Sequence, residues 1–154
     1  MLLYKKIINK LLKKNITISV AESCTGGLLS STLTSESGIS KIFNMGLITY
    51  SNKAKINLLK ISQNHLNSYG AVSHQIAALM AKNLKKISKS KLCISTTGIA
   101  GPSGGTKIKP AGLVYCGIKF QNKILVLEKK FKGSRIQVQQ KAVKAIFIIL
   151  EKLI

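Results

Sequence analysis

Three short apolar runs, Thr17–Ala21, Gly46–Tyr50 and Leu92–Thr97, are separated by stretches whose apolar residues recur at helical spacing. Strand-like runs that alternate with helix-like segments need crossover connections. Such connections place helices on the faces of a largely parallel sheet. The first helix is expected over about 2–14, with Leu3, Ile7, Ile8, Leu11 and Leu12 on one face and lysines on the other. A second is expected from near Thr25 to about Leu33, and a third over Lys53–Leu59 capped by Asn52. Ser73 is placed to cap a helix whose positions Ile76, Ala77, Met80, Leu84 and Ile87 keep a 3.6-residue period, and Ser134 to cap a last helix reaching about Lys152. Gly112–Phe120 and Ile124–Phe131 flank Gln121-Asn122-Lys123 and read as an antiparallel hairpin.

The resulting order, α-β-α-β-α-α-β-β-β-α, predicts an α/β fold: a three-layer α/β/α sandwich with a mixed, mostly parallel sheet of about five strands. The 154 residues, 45% of them hydrophobic, suit one domain spanning 1–154 with a sizeable core. No apolar run approaches the roughly 18 residues of a membrane span. The basic amphipathic start also has the composition of a membrane-surface helix or transit peptide, but it runs straight into a strand without a cleavage-like segment. A cytoplasmic protein is expected.

The net charge is +21, and the acidic side carries most of the information. The only side-chain carboxylates are Glu22, Glu36, Glu128 and Glu151, and there is no Asp. That argues against two-metal phosphoryl transfer, paired-acid glycoside hydrolysis and hard-cation sites, and it removes the Asp of a Ser-His-Asp triad. The excess of base raises the possibility of a nucleic-acid partner, but the basic residues are spread along the chain and all but Arg135 are lysine. Base readers favour Arg, and stacking platforms are scarce with four Tyr, four Phe and no Trp. A nucleic-acid partner is therefore not favoured over lysine-rich solvated faces. Cys24, Cys93 and Cys116 are odd in number and form no C-x-x-C pair, so neither a disulfide framework nor a zinc site is expected.

Chemistry concentrates where strands end. "AESCTGG" (21–27) has the form strand, turn, helix start. Backbone N–H groups at Cys24–Gly27 suit a phosphate cradle, an oxyanion hole beside a nucleophile, or simply a capped helix. Ser23 needs a base. His65 and His74 have no carboxylate neighbour in sequence, whereas Tyr50-Ser-Asn-Lys53-Ala-Lys55 offers two lysines, one of which could act as base if desolvated, with Tyr50 as proton relay. Cys24 is a rival nucleophile whose pKa a helix N-terminus would lower. The glycine-rich "GIAGPSGG" (98–105) is not a Walker A loop; it reads as a backbone-lined wall for a flat or phosphorylated ligand.

"AESCTGG", "TYSNKAK" (49–55), "GAVS" (70–73), "TGIAGPSGG" (97–105) and "KPAGLVY" (109–115) occur in the order and spacing of the CinA C-terminal domain family, and the chain resembles its stand-alone nicotinamide-nucleotide amidases from about residue 4 to the end. A stand-alone module is expected, without the nucleotide-processing domain often fused to it. The resemblance implies hydrolysis of nicotinamide mononucleotide (NMN) to nicotinate mononucleotide and ammonia in pyridine-nucleotide recycling, with no metal or organic cofactor, by a homo-oligomer of two or more copies. It places the serine nucleophile on Ser23, the catalytic lysine on Lys55 rather than Lys53, and the tyrosine on Tyr50. It suggests substrate contacts at Thr25, Gly26, Gly27, Thr97, Gly98, Gly101, Gly104, Gly105 and Arg135. The family's links to competence and DNA damage keep a non-catalytic nucleic-acid-binding protein as the alternative. Several family acids are replaced: Ser103 stands for an acid of the loop, Ser134 for the Asp of Gly-Asp-Arg, Lys53 and His74 for glutamates, and Thr106-Lys107-Ile108 lacks acids often found there.

Overall fold

Alternation of side chains along each strand separates two apolar layers, and helices close over both. A computed structural model describes residues 2–154. The elements are α1 (Leu2–Lys13), β1 (Ile18–Glu22), α2 (Leu28–Thr34), a 3-10 turn (Ile39–Lys41), β2 (Phe43–Ile48), α3 (Asn52–Leu59), α4 (Gln63–Tyr69), α5 (His74–Ser88), β3 (Leu92–Gly98), β4 (Leu113–Phe120), β5 (Lys123–Lys130) and α6 (Arg135–Leu153). The sheet order is β2-β1-β3-β4-β5. β1 is parallel to β2 and β3, while β4 is antiparallel to β3 and β5. The sheet is thus mixed, with β4 alone running against the other strands.

In β1, Ile18 and Val20 face one side and join Ile7, Ile8, Leu11, Leu29, Leu33, Val143, Ile146 and Phe147 in the larger core, beneath α1, α2 and α6. Ala21 faces the other side and packs with Ile76, Met80 and Leu84 of α5 and with Leu59, Ile61 and Leu66. This is the three-layer arrangement that the sequence order predicts. α5 lies close on the sheet because Gly117 of β4 has no side chain: a Cβ there would sit 2.3 Å from the Ala77 carbonyl oxygen. Ser95 Oγ donates to the same carbonyl at 2.6 Å.

Several sequence boundaries move, each for a local reason. The second helix does not start near Thr25: Gly26 (φ 58°) and Gly27 (φ 102°) are left-handed, so α2 begins at Leu28. α3 is capped by Ser51, not Asn52, with Ser51 Oγ accepting from Ala54 N at 3.0 Å. β2 begins at Phe43 and ends at Ile48, with Thr49 and Tyr50 already leaving the sheet. α4 was not expected because only Leu66 of it is buried and no apolar period marks it. The Ser73 and Ser134 caps form as read, the latter as a capping box with Gln137. Ile87, expected on the buried face of α5, is 40% exposed in the last turn.

Gly117→Ala tests the sheet contact: the added methyl must push α5 off β4, and a loss of about 1–3 kcal/mol is expected from overpacking. Urea denaturation reads it; an unchanged midpoint would show that the helix seat is soft.

Candidate active site

β1 and β2 end level, and β3 runs two residues further, to Gly98. Glu22 stands opposite Ile48 on one side and Thr96 on the other. The register continues one step past the ends of β1 and β2, where Thr49 N donates to Glu22 O at 2.7 Å and Ser23 N donates to Thr96 O at 3.0 Å. Ser23 therefore sits at the lip of the sheet, on the face opposite the Glu22 side chain, and is 8% exposed.

The chain leaves β2 through Tyr50 and turns at once into α3, which brings Lys55 back over Ser23. Lys55 is among the largest fully buried side chains, 1% exposed. Its Nζ lies 2.9 Å from Thr49 O, 3.1 Å from Ser23 Oγ and 3.4 Å from Tyr50 O. No carboxylate pairs with it; the one salt bridge among the described residues joins Lys6 and Glu151. Burial without a counter-charge pulls the ammonium pKa down from its ordinary 10.5. A thiolate at Cys24 would act in the opposite direction, but burial pushes the Cys24 thiol up to about 12. The expectation of a lowered thiol pKa at a helix N-terminus is thus overturned: the helix starts only at Leu28, and desolvation dominates.

Tyr50 is placed differently from a proton relay. Its carbonyl oxygen faces Lys55 Nζ and lies 3.5 Å from Ser23 Oγ. Its ring is 57% exposed, and its hydroxyl accepts from Arg135 Nη2 at 2.6 Å. Arg135, the first residue of α6, also donates from Nη1 to Gly101 O at 2.9 Å and so ties three loops together. His65 and His74 are exposed, and His65 is engaged with Ser62 Oγ through Nδ1.

Ser23, Cys24, Tyr50, Lys55 and Arg135 open onto a cavity of about 240 Å³, walled by Thr97, Gly98, Gly101 and Gly104 of the glycine-rich segment. Asn52, Ala71, Val72, Ile99, Ala100 and Ser103 complete the wall. Ile99, Ala100 and Ser103 belong to the glycine-rich loop that the sequence reads as a wall, whereas Asn52 reads only as a helix cap and Ala71 and Val72 carry no signal beyond lying in "GAVS". Arg135 and Lys55 line the cavity and no carboxylate does, so the guanidinium offers a setting for an anionic ligand. Thr97 Oγ1 is occupied by Ala71 O at 2.7 Å, so it braces the wall. Gly105 does not line the cavity; a Cβ there would sit 2.4 Å from Ala111 N, so its lack of side chain serves loop packing.

The turn after Ser23 also departs from the expected cradle. Gly26 N donates to Ser23 O, and Gly27 N donates to Glu22 Oε2 at 3.1 Å, so neither amide is available to a ligand. Thr25 is 2% exposed, its hydroxyl bonded to Glu22 and Thr96. The N–H groups of Cys24 and Thr25 make no hydrogen bond to another described residue.

The model for the CinA C-terminal domain matches residues 2–154. A competence-damage inducible protein of Thermoanaerobacter pseudethanolicus is 47% identical over 140 residues, covering 90% of this chain and 34% of that one. One from Caldicellulosiruptor saccharolyticus is 45% identical over 148 residues, covering 96% and 36%. The chain thus spans about a third of the length of these curated relatives. Among solved structures, the competence/damage inducible protein CihA of Agrobacterium tumefaciens superposes with a TM-score of 0.94 at 35% identity, covering 98% of this chain and 93% of that one. A CinA superfamily protein of Escherichia coli gives 0.93 at 31% identity, covering 99% and 88%. By sequence and by fold, the chain belongs to the CinA C-terminal domain family.

Proposed function

We propose that the protein is an amidohydrolase that converts NMN to nicotinate mononucleotide and ammonia, with Ser23 as nucleophile and Lys55 as general base. The observation that carries this reading is the 3.1 Å contact between Lys55 Nζ and Ser23 Oγ, made by a buried lysine with no carboxylate partner. A neutral amine has two hydrogens and one lone pair. Thr49 O and Tyr50 O can accept the two hydrogens, which leaves the lone pair for the Ser23 hydroxyl. After proton transfer the ammonium has three hydrogens for the same three oxygens. Lys55 can therefore gain and lose a proton without moving.

In the proposed cycle Lys55 removes the Ser23 proton as Oγ attacks the carboxamide carbon. The oxyanion falls to the N–H groups of Cys24 and Thr25, those left unbonded in the turn. The proton passes to the departing nitrogen, the C–N bond breaks, and ammonia leaves an acyl-Ser23 ester. Water, deprotonated by Lys55, hydrolyses the ester to nicotinate mononucleotide and free Ser23. Arg135 is assigned to the substrate phosphate, since its two present acceptors are neutral oxygens that a phosphate outcompetes. The +21 charge favours a second reading, non-catalytic binding to nucleic acid. Salt-dependent DNA binding without ammonia release would select it.

Ser23→Ala and Lys55→Ala should each lower kcat by at least about 10³-fold, as loss of a nucleophile or its base does elsewhere. Cys24→Ala should stay active, and inactivation by that change would move the nucleophile to the thiol. The rate of the parent protein should rise with pH along one ionisation centred below 10.5, because the neutral amine is the active form and its pKa is depressed. The same depression has a stability sign. Between the lowered pKa and 10.5 the unfolded chain binds more protons, so stability rises with pH. Lys55→Met should therefore be inactive yet melt higher than the parent below that window, with the gap closing as pH approaches 10.5. Arg135→Ala should raise KM for NMN about tenfold or more with a smaller change in kcat, from loss of a charge-assisted contact; an unaltered KM would remove Arg135 from the phosphate.

A further inference from the structure

Glu22 is fully buried, with 0% exposure, and no lysine or arginine pairs with it despite the basic composition. Its carboxylate accepts five hydrogen bonds instead. Oε2 takes Thr25 Oγ1 at 2.6 Å, Gly27 N at 3.1 Å and Leu29 N at 3.0 Å. Oε1 takes Ser30 N and Ser30 Oγ, both at 2.7 Å. A buried carboxylate is tolerable when donors surround it in this way.

The directions of these bonds can be deduced. The Thr25 hydroxyl spends its single hydrogen on Glu22 Oε2, so in its 2.8 Å contact with Thr96 Oγ1 it must accept, and Thr96 must donate. The Thr96 hydroxyl oxygen is then free to accept from Ser23 N, 3.3 Å away, sharing that N–H with the Thr96 carbonyl oxygen at 3.0 Å. A directed chain results: Ser23 N–H to Thr96 hydroxyl, to Thr25 hydroxyl, to the Glu22 carboxylate. Every hydrogen in it points toward Glu22. The same carboxylate holds the left-handed turn at Gly26 and Gly27 through Gly27 N, Leu29 N and Ser30 N. It thereby fixes both ends of the segment that carries Ser23 and the unbonded N–H groups of Cys24 and Thr25.

We infer that Glu22 is a positioning residue for Ser23, acting through the Thr25 and Thr96 hydroxyls, and that the Thr25 hydroxyl serves this relay and does not bind substrate. This rests on the reading of Ser23 as a nucleophile. Engaged by its own turn on the far face of β1, Glu22 is also unavailable to Lys55, whose ammonium a carboxylate partner would stabilise.

The test compares Thr25→Val, which keeps the shape and removes the hydroxyl, with Thr25→Ser, which restores it; Thr96→Val removes the next member of the relay. Glu22→Gln is the direct variant, but it must turn an amide N–H toward donors and can fail to fold, so the threonine variants carry the decision. Each protein is melted to establish folding, then read twice: ammonia release from NMN, and the rate of Ser23 labelling by a fluorophosphonate, located by mass spectrometry. Thr25→Val and Thr96→Val are expected to lose about 10- to 100-fold in kcat and in labelling rate with KM within about twofold, the cost of a misplaced reacting group. Thr25→Ser is expected to recover within about threefold of the parent. A folded Thr25→Val with parental labelling and kcat overturns the relay, as does a loss confined to KM, which returns Thr25 to the substrate. If the parent labels at Ser23 but releases no ammonia from NMN, the proposed substrate fails while the labelling rates still decide the role of Glu22. If it neither labels nor hydrolyses, both fall.

Discussion

The arrangement around Ser23 depends on an ammonium-bearing side chain held inside the protein by oxygens alone. Transfer of a charged group into the interior is costly, and a lysine so placed relieves the cost by releasing its proton more readily. For Lys55 to reach three oxygens within 3.4 Å, α3 must begin directly after β2, which the Ser51 cap achieves. β2 must in turn stop level with β1, which the Glu22–Ile48 register and the Thr49 N to Glu22 O bond achieve. A slip of one residue in this edge strand would turn its side chains over and carry α3 away from Ser23.

Glu22 and Lys55 are the two charged-type side chains in the buried set, and they do not pair. Contact between them would satisfy both and keep the lysine charged, since a carboxylate beside an ammonium raises its pKa. Strand alternation prevents it by sending Glu22 and Ser23 to opposite faces of β1. The acid then organises the turn from behind, while the lysine approaches the serine from the front.

Much of this was legible in the chain. The apolar runs and serine caps gave the layers and most element positions because burial alternates with a period the sequence records, as in Ile18 and Val20 against Ala21. The pairing of Ser23 with Lys55 rested on motif resemblance, because a lysine turned inward is identical in sequence to one in solvent; Lys53, two residues away, is exposed. The role of Glu22 was not legible, since nothing in "AESCTGG" says that Leu29 and Ser30, seven and eight residues on, fold back onto it. Nor did the glycines announce their left-handed backbone, which delays α2 to Leu28 and removes the Gly26 and Gly27 amides from any ligand. Tyr50 shows the same limit: its position in the motif did not reveal that its carbonyl, and not its hydroxyl, faces the lysine.

Scarcity of acid shapes the surface and the cavity alike. With four carboxylates against 25 basic side chains, lysines cannot generally form ion pairs, and several fold onto main-chain oxygens instead. Lys60 reaches Asn57 O, Lys85 reaches Ser90 O, Lys91 reaches Asn15 O and Lys109 reaches Tyr69 O. Such bonds satisfy carbonyls at turns and helix ends, each at about 1 kcal/mol or less. In the cavity the same scarcity leaves Lys55 and Arg135 facing neutral oxygens only. A ligand phosphate at Arg135 would exchange neutral acceptors for a charged one, and charge-assisted bonds are roughly twice as strong. An acid at position 103, on the wall of the same cavity, would instead compete with that phosphate for the guanidinium; Ser103 offers no such competition.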